Sequence, residues 1–355
     1  MMEISKARSY MNKEELLTLR PKLKQYLAII PMGDDLVLQL RSNWSDELYR
    51  LTGNTVKVFS NVLDVMDGKR TTGEILGIIP KDQEDVVLRM IDDLSRNQIL
   101  ELLDESYTEP DEMDQELASF LYHFGGHKQV YEYYRMLKGT SLTVFHLGSP
   151  DCKLKELLSQ LPLKTLNNFI VRMPGDGADG FDPVDLVISP EEIPGVIEQT
   201  NLAAVVYEFA NPALMRKFNL AFNTAKLTWT SCGFVNGYES VIGPTIVPGE
   251  TGCYECYKLR RESNEKFYDE LLFFERTNDL PGIGFTLKSL KDARSYFFFI
   301  ELLRIITHFV PPVSMGSECV FNFFSLSSVQ HPFLKLPRCK VCSTVNDKPV
   351  ARVWE

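Results

Sequence analysis

The chain has 355 residues, of which 44% are hydrophobic and 24% charged, and its formal net charge is −10. This length predicts about two domains, and the acidic balance argues against a non-specific nucleic-acid surface. The polar N-terminus lacks the apolar core of a signal peptide, and no stretch approaches the ~20 apolar residues of a membrane span. We therefore expect a cytoplasmic protein with neither nucleic acid nor membrane as a partner.

Three short strands are predicted near the N-terminus, at residues 26–30, 36–41 and 47–51. Leu36, Leu38 and Leu40 recur with period two, which is typical of a strand with one buried face. The period then changes to that of a helix around residues 59–66. A second helix opens at a Thr71/Glu74 capping box.

The third predicted helix has one apolar face, formed by Val87, Met90, Ile91 and Leu94. Three strands followed by three helices are typical of a winged helix-turn-helix. A DNA-reading helix needs cations for phosphate contacts, whereas this helix carries the acidic residues Glu84, Asp85, Asp92 and Asp93. A transcription regulator with a metal-sensing domain is therefore only an alternative.

An exposed third strand could instead accept an extended peptide by main-chain hydrogen bonds. The segment 20–103 resembles the RiPP recognition element, a PqqD-like module that binds the leader peptides of ribosomally made, post-translationally modified peptides. The resemblance implies that the leader pairs with the third strand and packs on the third helix. The implied peptide-binding residues are Glu47, Leu48, Tyr49, Arg50, Leu51, Val87, Met90, Ile91 and Leu94. The alternative is a winged helix that mediates only dimer or domain contacts.

Residues 104–116 form an acidic stretch that predicts a linker between domains. Beyond it, residues 117–355 predict an α/β domain, with strands at 142–148, 169–171, 185–188, 204–207 and 227–230 that alternate with helices. Such alternation predicts a mainly parallel sheet covered on both faces. The Phe- and Leu-rich run 295–310 predicts a core helix.

The turn after the first strand of this domain reads Gly-Ser-Pro-Asp-Cys at residues 148–152. In α/β folds this turn can hold nucleotide phosphates on backbone N–H groups, provided that glycines allow close approach. Here Pro150 removes a donor and Asp151 adds negative charge. The turn therefore predicts a degenerate nucleotide site.

Two Cys-x-x-Cys hooks near the C-terminus contain Cys253 and Cys256, and Cys339 and Cys342. Four thiolates supply the ligands of a closed tetrahedral zinc site, which is structural because no position is left for substrate. The long separation of the hooks indicates that the metal joins distant parts of one domain. Two disulfides or unrelated free thiols are the alternative.

From residue 227 onward, the strand, the loop 242–252 and the two hooks resemble the ThiF-like family of ubiquitin-activating-type adenylating proteins. The chain is most similar to the ThiF-like partner proteins of azole-forming YcaO cyclodehydratases. Where active relatives carry an Asp-Asn pair for magnesium and ATP, this chain has Glu208 to Asn211, followed by Arg216, and no cysteine lies between Tyr257 and Ser317. The crossover segment 260–281 is expected to cover a groove or a partner surface.

The resemblance implies a non-catalytic adaptor with a winged helix and a degenerate Rossmann-like, ThiF-type domain stapled by zinc. It would bind a leader peptide, present the precursor to a separate YcaO cyclodehydratase and form a homodimer. The alternative function is a ThiF-type, ATP-dependent adenylyltransferase that acts on a peptide.

Overall fold

The computed structural model describes residues 12–40, 48–107, 113–172, 186–208, 211–264, 266–267, 270 and 286–343. The chain divides into two compact units, Met1–Tyr134 and Arg135–Glu355. Together they make a mixed α/β protein. Among the described helices, none is long and apolar enough to cross a membrane.

The first unit contains a three-stranded antiparallel sheet, a two-stranded sheet and short helices. Its elements are α1 Lys13–Thr18, β1 Arg20–Leu23, β2 Leu27–Met32, β3 Asp35–Leu40, β4 Leu48–Leu51, α2 Asn54–Val62, α3 Thr72–Leu76, α4 Glu84–Arg96, β5 Leu100–Leu103 and α5 Gln115–Leu121. The sheet order is β2-β3-β4, and β1 pairs with β5. All three predicted strands therefore form. Gly33, with φ +67°, provides the positive φ in the two-residue turn between β2 and β3.

The predicted helices of this unit also form. Thr71 caps α3 because its Oγ1 accepts a hydrogen bond from Glu74 N at 3.2 Å, while Thr71 N donates to Glu74 Oε2 at 2.7 Å. This is the predicted capping box. Phe59 and Ile75 are buried with the apolar face of α4 in one hydrophobic core.

The second unit is built on one eight-stranded sheet. Helix α6, His127–Gly139, contains the boundary between the units. The following elements are β6 Ser141–Leu147, α7 Cys152–Ser159, β7 Thr165–Val171, β8 Leu186–Ile188, α8 Ile193–Val196, β9 Leu202–Tyr207, α9 Pro212–Thr224, β10 Thr228–Phe234, β11 Glu239–Ile242, α10 Tyr254–Glu262, α11 Lys288–Thr307, β12 Ser317–Asn322 and β13 Ser327–Pro332.

The sheet order is β13-β12-β11-β10-β9-β6-β7-β8. The five strands from β10 to β8 are parallel, and β11, β12 and β13 extend the sheet in antiparallel fashion. The parallel part confirms the sequence prediction. The antiparallel extension was not predicted. Its outermost strand, β13, has all six residues exposed and therefore carries no buried/exposed alternation.

One face of this sheet carries the main core of the second unit. Phe145 and Trp229 from the strands pack with Phe218 and Phe222 of α9, and all four side chains are fully buried. Helices α7 and α11 pack on each other, and α7 also contacts β7. Helix α11 confirms the predicted core helix, since Phe298, Leu302 and Leu303 are buried.

Candidate functional site

The two cysteine hooks meet in the second unit. Cys253 is the N-cap of α10 and Cys256 lies in the first turn of that helix, while Cys339 and Cys342 follow β13. Gly252 precedes the first hook, and a Cβ at this position would approach the Phe333 ring to 2.8 Å. A glycine is therefore needed where the segment after β13 packs against the first hook.

The four thiols form a compact cluster, hereafter the thiol cluster, with all sulfurs within 4.8 Å of one another. The Sγ–Sγ distances are 3.9 Å for Cys253–Cys256, 3.6 Å for Cys253–Cys339 and 3.4 Å for Cys256–Cys342. A disulfide needs about 2.05 Å, so the four are free thiols. A tetrahedron with Zn–S bonds of about 2.3 Å places its sulfurs about 3.8 Å apart. The donor set therefore fits a tetrahedral metal ion.

The surroundings of the thiol cluster act unequally on its thiols. Leu336 N donates a hydrogen bond to Cys256 Sγ at 3.3 Å. The hydrogen bond from the Cys253 thiol is the chief cause that lowers the pKa of Cys256 to about 4, and the same contact raises the pKa of Cys253. Burial raises the pKa of Cys342 to about 11. Phe333, Leu336 and Val341 pack around the sulfurs. A donor set of four sulfurs suits a soft divalent ion.

A cavity of about 550 Å³ lies at the carboxyl end of the parallel strands. It opens beside β6 and β9, which are neighbours in the sheet. The chain continues from β6 to β7 and β8 on one side, and then crosses to β9 and β10 on the other side of β6. Ligands of α/β proteins bind at such switch points. Charged side chains of both signs line the cavity: Asp151, Lys153, Glu156, Glu208, Lys288, Lys291, Asp292 and Arg294.

The acidic residue of the 148–152 turn is engaged by the chain itself. Asp151 Oδ2 accepts hydrogen bonds from Arg294 Nη2 at 2.6 Å and from Ser295 Oγ at 2.7 Å. Its Oδ1 accepts from Leu154 N at 2.9 Å and so caps α7. Arg294 Nη1 also donates to the carbonyl of Tyr207, at the end of β9. We call Asp151, Arg294 and Ser295 the Asp151 cluster.

The Asp151 cluster is buried, with side-chain exposures of 3% for Arg294 and 6% for Asp151. The carboxylate thus lies at the N-terminus of α7, where a phosphate group would bind in an intact nucleotide site. Arg294, the side chain best suited to a phosphate oxyanion at this turn, is committed to Asp151. At this turn, the charge of Asp151 is therefore neutralised by Arg294 of the same chain.

Residues 208–211 stand where active relatives carry an Asp-Asn pair. Of these four residues, the structure describes Glu208 and Asn211. Glu208 Oε1 forms an ion pair with Lys291 and accepts from Ser149 Oγ at 3.2 Å. Asn211 Oδ1 accepts from Leu214 N at 3.0 Å and caps α9. Arg216 pairs with Glu255 at 3.1 Å. Each of these polar groups thus has a contact within the chain.

The predicted peptide-binding strand lies at the edge of the three-stranded sheet. In the described residues, β4 pairs with β3 alone, and Glu47 lies outside them. Tyr49 is half-buried, Arg50 is exposed and Leu51 is buried. Burial raises the pKa of Tyr49 and the charge of Asp93 raises it further, which indicates that the α4 carboxylate lies near this ring.

The four α4 residues expected to face a peptide are in the core. Val87, Ile91 and Leu94 are fully buried, and Met90 is 4% exposed. These apolar residues recur at helical spacing because they form the face of α4 that packs on α2 and α3. Arg89 and Asp93, on the partly exposed side of the helix, were not among the predicted residues.

Sequence reasoning missed Arg294 and Ser295, which lie in the apolar helix α11. The available signal was the presence of Arg294 and Glu301 in a run otherwise rich in Phe, Leu and Ile, since buried charges need partners. The partner Asp151 is 143 positions away, so no local pattern could identify it. Most of the crossover segment 260–281 lies outside the described residues.

Searches against protein-family models and among curated proteins give no match. Solved structures do match. The heterocyclase TruD has a TM-score of 0.63 and 18% identity over 92% of this chain, and a heterocyclase solved in complex with substrate and cofactor gives the same values. The chain spans only 43% and 39% of those two chains.

MccB of E. coli is also similar, with a TM-score of 0.54 and 14% identity over 92% of this chain and 97% of MccB. Structures of MccB exist with ATP and with MccA. At these identities the comparisons show a shared fold. The chain thus shares its fold with about two-fifths of each heterocyclase and with MccB.

Proposed function

We propose that this protein is a non-catalytic adaptor in the biosynthesis of azole-containing peptides. The observation that carries the proposal is the Asp151 cluster. It sets a buried, neutralised carboxylate where a nucleotide-dependent relative would bind phosphate. With that position taken by its own side chains, the chain is suited to recognition and not to adenylation.

The fold shared with two heterocyclases supports a role in azole formation. This chain spans about two-fifths of the two heterocyclases, 39% and 43% of their lengths. We propose that a separate YcaO-type, ATP-dependent cyclodehydratase catalyses the reaction in the cytoplasm. That enzyme would join a Cys, Ser or Thr side chain to the preceding amide and remove water.

In this proposal, residues 20–103 bind the leader peptide, 104–116 are a linker, and 117–355 contain the ThiF-type domain, whose compact unit begins at Arg135. Among the described strands, β4 pairs with β3 alone, which supports peptide pairing because an edge strand offers unpaired N–H and C=O groups. Holding the leader turns attack on the core peptide into an intramolecular event with a high effective concentration.

We propose that the thiol cluster binds one zinc ion, which would hold the segment after β13 against α10. The residues that would hold it are Cys253, Cys256, Cys339 and Cys342. Four protein ligands leave no position for substrate, so the metal would stabilise structure. We also propose that the protein is a homodimer.

A second candidate is a ThiF-type adenylyltransferase that acts on a peptide. The cavity at the switch point favours it, since Lys153, Lys288 and Lys291 line its wall. Lysines at such a position could contact the phosphates of ATP despite the Asp151 cluster.

Calorimetric titration with ATP and magnesium separates the two candidates. For an adaptor we expect no heat of binding at millimolar ATP, with protein whose zinc content has been verified. Micromolar binding would make the adenylyltransferase the leading function.

Reconstitution tests the adaptor directly. A YcaO cyclodehydratase and its precursor peptide are incubated with ATP, with and without this chain, and loss of water is followed by mass spectrometry. We expect the chain to accelerate dehydration of the full precursor, and to have little effect on a precursor that lacks its leader. Equal stimulation of both peptides would contradict leader capture.

A further inference from the structure

The outer edge of β13 is an unusual feature of the second unit. In the described part of the chain, β13 is the last strand of the eight-stranded sheet and pairs with β12 alone. All six of its residues are exposed on both faces. Proteins usually protect such an edge with a charge, a bulge or an early proline. The sequence Ser-Ser-Val-Gln-His-Pro has no Lys, Arg, Asp or Glu, and its proline comes last.

The hydrogen-bonding pattern defines which groups face outward. Phe333 N donates to the carbonyl of Gly316, so this opposed pair is hydrogen-bonded within the β12–β13 ladder. Bonded and non-bonded pairs alternate in an antiparallel ladder. Residues 331, 329 and 327 therefore bond to β12, and the main-chain groups of Ser328 and Gln330 point away from the sheet.

We propose that β13 pairs with β13 of a second copy of this chain, in antiparallel register about a two-fold axis at Val329. This inference rests on the proposed homodimer and not on the adaptor role. The two strands would join the eight-stranded sheets into one of sixteen strands.

The register follows from the outward groups. With Val329 opposite itself, Ser328 lies opposite Gln330 of the second copy. The two residues then exchange both N–H···O bonds, which gives four main-chain hydrogen bonds in all. Pro332, which has no N–H to donate, falls outside these bonded pairs. Every outward N–H of β13 obtains a partner.

The side chains also fit a copy of the same strand. Val329 is 54% exposed and would pack against its own symmetry mate in a non-hydrogen-bonded pair, in which side chains approach most closely. The chain has a net charge of −10, but β13 itself has no acidic residue to repel an identical strand. A two-fold interface must be complementary to itself, and this strand meets that condition.

Cross-linking tests the register. With Val329→Cys, two Cα atoms about 4.5 Å apart would lie across the axis, within the 4.4–6.8 Å range of disulfides. Ser328→Cys is the matched control, because its symmetry mate lies two positions along the strand, beyond about 7 Å. We expect a covalent dimer on non-reducing gels for Val329→Cys, and no more than the wild-type background for Ser328→Cys.

Sedimentation of the full-length protein over a dilution series tests the surface. Val329→Lys places two ammonium groups opposite each other, and we expect the dimer to weaken about 100-fold or more. Leu220→Lys, at a residue of α9 that is 60% exposed, should leave the dissociation constant unchanged.

If Val329→Lys leaves the dissociation constant unchanged, or if Ser328→Cys cross-links as well as Val329→Cys, then β13 is not the interface, although the protein is still a homodimer. A monomer at every concentration would overturn both. Neither result bears on leader binding or on ATP.

Discussion

The thiol cluster and the Asp151 cluster lie in the same unit and differ in what their polar groups face. At the thiol cluster four sulfurs converge on one point, and their spacing fits a metal ion. At the Asp151 cluster a guanidinium and a hydroxyl both donate hydrogen bonds to one carboxylate oxygen. The first arrangement can hold an added ion, whereas in the second the carboxylate charge is balanced by a side chain of the same chain.

The two clusters depend on different features of the fold. A structural metal site depends only on the four ligands and their mutual positions. A phosphate site depends on unpaired donors at a helix N-terminus. At α7, the carboxylate of Asp151 accepts from Leu154 N and places a negative charge at that end of the helix. The following substitutions test this contrast.

The largest effect is expected at the thiol cluster. Cys256→Ser should abolish stoichiometric metal binding, since a hard hydroxyl replaces a soft ligand. We expect it to lower unfolding stability by about 4 kcal/mol or more, and the melting temperature of the second unit by about 10 °C. Metal analysis and thermal unfolding measure the two effects. Cys152→Ser, at an exposed cysteine outside the cluster, is the control. Unchanged metal content in Cys256→Ser would refute the four-thiolate site.

The Asp151 cluster should show the next largest effect. Asp151→Asn keeps an acceptor for the α7 cap but leaves the buried Arg294 charge without a counterion. Because breaking a buried pair leaves a charge uncompensated, we expect a loss of about 3 kcal/mol in urea unfolding. The double variant Asp151→Asn/Arg294→Met should recover part of it. Equal losses in the single and double variants would show that the ion pair is not the source.

Gly233 tests how firmly the wall of the cavity is packed. A Cβ at this position would lie 2.0 Å from the Tyr207 ring, which is buried over β10. Gly233→Ala should therefore cost about 1–3 kcal/mol through overpacking. Gly139→Ala, where nothing lies within 4 Å of the added Cβ, is the matched control. Chemical denaturation compares the two, and equal stabilities would contradict the close packing.

The smallest effect is expected for Lys291, whose ion pair with Glu208 is about one-third exposed, at 33% and 35%. Solvent screens such a pair, so Lys291→Gln should change stability by less than about 1 kcal/mol. The contrast with Asp151→Asn is informative because both pairs line the same cavity. A loss as large as that of Asp151→Asn would remove the distinction between them.

Much of the fold was predictable because its signals are local. The alternation at Leu36 and Leu38 gave β3, and the Thr71/Glu74 capping box gave the start of α3. The spacing of α4 predicted its apolar face, but the same spacing could not distinguish core contacts from peptide contacts. The structure places Val87 and Ile91 in the core.

The sequence by itself determined the three strands and three helices near the N-terminus, the parallel part of the large sheet and the four cysteines, since each depends on residue types at short spacing. Tertiary structure alone decided that the hooks converge across 86 positions, that Arg294 neutralises Asp151, and that β13 ends the sheet with both faces exposed. The physical reason is that contacts between distant residues depend on how the whole unit packs, and a local sequence pattern does not contain this information.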